Sequence, residues 1–81
     1  MTHNLKTDPE VFELVLSGIK NYEIRYNDRD FKVGDILLLR EYDRTTTAFP
    51  DRFVKREVTD VLHGGQYGIE EGYVILSMKE L

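Results

Sequence analysis

Lys20, Glu23 and Arg25 stand close together in the segment Gly18-Ile19-Lys20-Asn21-Tyr22-Glu23-Ile24-Arg25. Two different cations and a carboxylate at this spacing can neutralise one another as a structural ion pair. They can instead offer donors and an acceptor to a planar polar ligand, with Arg25 as a two-pronged fork and Lys20 as a point charge. Most charge constellations are structural, so spacing alone favours the ion pair. Other side chains that could join a site are His3 and Lys6 before the first helix, Arg29 in a following turn, and Glu41 with Tyr42 at a strand end. Each has a plain alternative: a solvated histidine, surface cations, an exposed strand end. If the chain is an enzyme, Lys20 and Glu23 are the candidate acid–base pair, because a desolvated lysine can be tuned to act as a base.

Other chemistries lack their residues. There is no cysteine, hence no disulfide, thiol nucleophile or thiolate zinc site. The two histidines, His3 and His63, cannot make a histidine-rich metal centre, and no metal or cofactor is implied. Asp28, Asp30 and Asp35 read as turn residues rather than as the clustered carboxylates of a metal-dependent nuclease. His63-Gly64-Gly65 has neither dinucleotide nor P-loop spacing, so a phosphate role there is weak.

The elements that must position these residues follow from periodicity. Residues 3–6 read as a short strand. Thr7-Asp8-Pro9-Glu10 starts a helix, either through a Thr7/Glu10 capping box or through Asp8 as N-cap with proline at the first position. Val11, Phe12, Leu14, Val15 and Leu16 give helical spacing, and Gly18 ends the helix near Ser17. Residues 20–26 alternate, with Tyr22, Ile24 and Tyr26 on one face and Asn21, Glu23 and Arg25 on the other. After a turn at 27–30, Phe31 and Val33 read as core anchors. Further strands are expected over Ile36–Tyr42, Phe53–Leu62 and Tyr73–Met78. Most of the tyrosines are expected at core edges, with one or two in a site. One helix cannot cover so many strands, so the expected fold is α+β, mainly β: a small curled sheet or pseudo-barrel of five to six strands with one N-terminal helix.

Length and composition set the outer limits. The chain has 81 residues, 41% hydrophobic and 32% charged, as expected for one globular domain over 1–81. No apolar run reaches the ~20 residues that span a bilayer, and no leader-like segment opens the chain, so a cytoplasmic location and no membrane partner are expected. The net charge of −4 argues against indiscriminate polyanion binding. Residues 18–56 nevertheless hold nine basic against seven acidic side chains, which makes the middle the place to hold an anion.

The pattern Gly18-x-Lys20-x-x-Glu23-x-Arg25 resembles the G-x-K-x-x-E-x-R motif of the ASCH domain family in the PUA-like superfamily. Asp28–Asp35, the opening His3-x-Leu5-Lys6 and the closing Gly72–Ser77 resemble the short stand-alone bacterial and phage members. The resemblance implies a PUA-like pseudo-barrel with an RNA- or nucleic-acid-binding cleft lined by the motif, and an RNA or nucleotide-like partner. It also implies an alternative, since some such proteins are amidohydrolases of acylated nucleosides that use the motif lysine and a threonine three residues later. In this chain the lysine is Lys20, but Glu23 stands where the threonine would be. A protein-interaction module is a third, bland reading, resting only on the acidic segment 57–81.

Overall fold

The computed structural model describes residues 1–81. Its elements are β1 (Thr2–Thr7), α1 (Pro9–Leu16), β2 (Tyr22–Tyr26), β3 (Ile36–Glu41), β4 (Phe53–His63) and β5 (Tyr73–Glu80). The helix starts with Asp8 at the N-cap and Pro9 in the first turn, and the Asp8 side chain makes no capping bond. The capping box therefore does not form. Thr7 is instead the last residue of β1, with its side chain buried.

The strands form one sheet in the order β1-β3-β4-β5-β2. β1 runs parallel to β3, which the crossover through α1 and β2 permits; the other pairings are antiparallel. β4 serves two neighbours. Its first half pairs with β3 and its second with β5, with a register shift between Val58 and Asp60. Such bulges bend a strand and increase its twist. The sheet curls into a half-barrel, so that its edge strands, β1 and β2, face each other without pairing. Arg25 Nη2 donates to Lys6 O at 2.9 Å, and Arg29 Nη1 donates to Asn4 O at 2.8 Å. An edge strand leaves alternate backbone groups without ladder partners. Two guanidinium groups thus bridge the open seam where a fifth strand pairing, β1 with β2, would have closed it.

The fold is α+β, mainly β, as the sequence suggests, with five strands. Eleven buried apolar residues make a single core, to which α1 contributes Phe12 and Val15 and packs chiefly against β3. Phe31 joins that core, but Val33 is exposed, because the turn before Gly34 points it outward. Gly64 is needed for packing. A Cβ there would lie 2.0 Å from the Glu70 carbonyl oxygen, so this glycine lets the β4–β5 loop fold back on itself. No helix is long and apolar enough to cross a membrane.

β2 departs from the usual polarity. Tyr22, Ile24 and Tyr26 face outward and are exposed, whereas Glu23 is buried and Arg25 half-buried. Tyr67 and Tyr73 are also exposed, so most tyrosines lie outside rather than at core edges. A strand that turns its charged face inward is the informative exception to apolar burial.

Candidate functional site

Gly18 builds the entrance to the site. At φ +83° it takes the left-handed conformation after α1, and the Lys20 amide then bonds back to Leu14 O at 3.0 Å. This reversal sets Lys20 just ahead of β2. Strand alternation then points Glu23 and Arg25 inward together.

The Glu23 carboxylate is the hub. Lys20 Nζ donates to Oε1 at 3.0 Å, and Arg25 Nε donates to Oε2 at 3.2 Å. Lys20 also donates to Tyr22 O and lies 4.6 Å from the Tyr22 ring centre. Arg25 extends from Glu23 to the β1 carbonyl across the seam. A carboxylate has about four lone-pair sites, so Glu23 retains acceptor capacity beyond these bonds. Two cations around one carboxylate leave the cluster net positive.

This cluster walls a cleft of about 350 Å³, together with Lys6, Thr7, Asp8, Val11, Ile24 and Arg44. Thr7 is its most unusual member. The side chain is buried, and its hydroxyl has no hydrogen-bond partner. Buried polar atoms are nearly always paired; this one is closed off from the cleft as well as unpartnered, so it offers no contact to a ligand there. A second groove of about 490 Å³ adjoins the first, with Lys6 and Arg25 lining both. Arg29, Arg40 and Phe49 complete its charged and aromatic wall.

The candidates from sequence thus separate. Lys20, Glu23, Arg25 and Lys6 meet at the cleft, and Arg29 lines the adjoining groove. His3 lies elsewhere. It is four residues before Thr7 on the same inward face of β1, about 13 Å away at the rise of an extended strand. There its Nε2 bonds to Asp35 Oδ2 at 2.7 Å, and its ring meets Phe31 edge-on. Glu41 is buried near the helix, with Oε1 3.7 Å from an Arg52 nitrogen that also pairs with Glu13. It does not line the cleft. Thr7, Arg40, Arg44 and Phe49 were not readable as site residues. Arg40 gains meaning only from the β1–β3 register, which sets it opposite Lys6. No group of three or more His, Asp or Glu side chains is placed to hold a metal ion.

The His3–Asp35 pair is a structural lock. The hydrogen bond from His3 holds the Asp35 carboxyl below its ordinary range, helped by the Lys32 amide and the N-terminal ammonium and opposed by burial. A depressed folded-state pKa stabilises the fold above the unfolded value, and that contribution disappears as pH falls through the folded value. Asp35→Asn is therefore expected to cost about 2 kcal/mol at neutral pH by leaving buried partners unmatched. The deficit should shrink toward pH 3. Urea melts of both proteins across that range measure it, and a gap that stays constant with pH would contradict this assignment.

A five-stranded, mainly-β half-barrel with one helix, whose open seam carries a buried carboxylate between two cations, defines the class of protein. Residues 2–78 match the sequence profile of the family described as "Domain of unknown function (DUF3850)", and the chain belongs to that family. It is also 36% identical over 74 residues to a protein of Escherichia phage P2 called "Uncharacterized 12.9 kDa protein in GpA 3'region". The match takes in 91% of this chain and 64% of the phage protein's length, so the chain spans just under two thirds of that relative.

Proposed function

We propose that the cleft binds RNA, or a nucleotide-like part of it, with Lys20, Glu23 and Arg25 as the recognition group. The observation that carries this reading is the inward-facing Glu23, buried between two cations in the wall of an open cleft. A purely structural ion pair has no use for a cleft. A nucleobase brings a planar edge of donors and acceptors. Its exocyclic amine can donate to Glu23, while Arg25 and Lys20 take acceptors or phosphate. The likeness of the Gly18–Arg25 motif to that of ASCH domains supports the same reading, as does the net-positive middle of the chain. A cytoplasmic setting goes with an RNA ligand.

The amidohydrolase alternative fits less well. Glu23 stands where those proteins have the threonine, and its carboxylate is held between Lys20 and Arg25. Fluorescence anisotropy of a labelled short single-stranded RNA pool, at low and at physiological salt, tests the proposal. Saturable binding that weakens as salt rises is expected. Absence of binding at low salt would overturn the polymer reading and leave single nucleosides as the ligand class.

A further inference from the structure

The second groove is lined by four cationic side chains, Lys6, Arg25, Arg29 and Arg40, and by no carboxylate. That is unusual in a chain of net charge −4. Arg25 and Arg29 are partly committed to the β1 carbonyls. Lys6 and Arg40 are different. Neither has a carboxylate within ion-pair distance, and their neighbours are aromatic faces: Lys6 lies 4.7 Å from the Tyr42 ring centre, and Arg40 lies 4.9 Å from that of Phe49. They are also direct partners in the β1–β3 register. Like charges directly opposite each other across a ladder repel, and nothing acidic is placed between these two. Stability alone would set an acid at one of the two positions. An anion seated between them turns the repulsion into attraction.

We propose that this groove carries the sugar–phosphate backbone of the strand whose base occupies the Glu23 cleft, which makes the ligand a single-stranded nucleic acid of at least two nucleotides and not a lone nucleoside. This rests on the reading of the cleft given above. Continuity supports it, since Lys6 and Arg25 form a wall common to both cavities. A phosphate leaving the cleft meets these two first, and then Arg29 and Arg40. Phe49, half-exposed at the rim with Tyr42 behind it at 4.7 Å, offers a face on which the next base can stack.

The test compares wild type, Arg40→Gln, Arg40→Lys and Lys6→Gln by anisotropy with a labelled single-stranded RNA pool over a salt series. Nucleosides are titrated in parallel by NMR. Single strands contribute about 0.7 to the slope of log affinity against log salt for each phosphate neutralised. Arg40→Gln and Lys6→Gln are each expected to reduce the slope by about that amount and to weaken binding about five-fold at low salt. Arg40→Lys should retain most of the slope. Nucleoside affinity should stay unchanged in the two Arg40 variants, because Arg40 lines only the second groove, whereas Lys6 lines both cavities and its variant reads the phosphate track through the salt slope alone. Lys6 and Arg40 are not buried, and circular dichroism melts establish that the variants fold. If wild type binds RNA and both neutral variants bind it with the same slope, the backbone track is wrong and the cleft reading stands. If wild type binds nucleosides but not RNA, the track is likewise overturned. If Arg40→Gln weakens RNA binding while Glu23→Gln, measured alongside, does not, the groove binds phosphate but the base does not sit at Glu23, and both the cleft reading and the continuity of the track are overturned.

Discussion

Arg25→Ala is expected to lower the stability of the fold by about 3 kcal/mol, read as a large fall in the urea midpoint. Arg25 holds two things at once. Its Nε supports the buried Glu23 carboxylate, and its Nη2 satisfies Lys6 O across the seam. Truncation leaves that carboxylate with Lys20 alone, and a buried charge that loses a partner is costly. It also leaves an edge carbonyl unpaired at the mouth of the barrel. A chain of this size has a total stability of about 4–12 kcal/mol, so the loss would be a sizeable share of it. Arg25→Lys keeps the charge but not the fork, and should fall between the two. Adding Glu23→Leu to Arg25→Ala should recover part of the loss, because it removes the stranded carboxylate. A midpoint for Arg25→Ala within experimental error of wild type would mean that the Glu23 cluster is held by other groups.

The largest effect on binding is expected from Glu23→Gln. The substitution preserves shape and removes one negative charge from a chain of net −4. Were the cluster only structural, freeing Lys20 and Arg25 would make the cleft more cationic, and RNA would bind more tightly with a steeper salt dependence. If Glu23 accepts from the ligand, affinity falls instead. A hydrogen bond to a charged acceptor is worth about 1.5–3 kcal/mol, or roughly 10- to 100-fold in affinity. The two readings thus predict opposite signs. Anisotropy well below the melting temperature of the variant decides between them.

The sequence made the elements legible because their signals are local. Pro9 and Gly18 bracket α1, the alternation over 22–26 marks β2, and the apolar run Ile36–Leu39 marks β3. The core of the site was legible for the same reason, since Lys20, Glu23 and Arg25 are brought together by one turn and one strand. What failed depended on pairing. The inward and outward faces of β2 look alike in period, and only the seam explains why charge turns inward there. His3 and Lys6 lie at opposite ends of β1, and strand rise along β1 sends His3 to Asp35 while Lys6, beside Thr7, reaches the cleft. Glu41 lies in register with Thr7, yet Arg52 and the helix draw it away. Arg40 sits in an apolar strand with no local mark of function, and its place opposite Lys6 appears only when β1 runs parallel to β3.

Localisation of the ligand tests the central claim most directly. Uniformly labelled protein is titrated with a short single-stranded RNA at low salt, and backbone amide shifts are followed by heteronuclear NMR. The largest changes are expected at Thr7 and from Lys20 to Arg25, with a second set at Arg29, Arg40 and Phe49. The amides around His3 and Asp35 should stay still. Saturable shifts confined to another face of the molecule, or no shifts at all, would contradict the assignment of this cleft as the binding site.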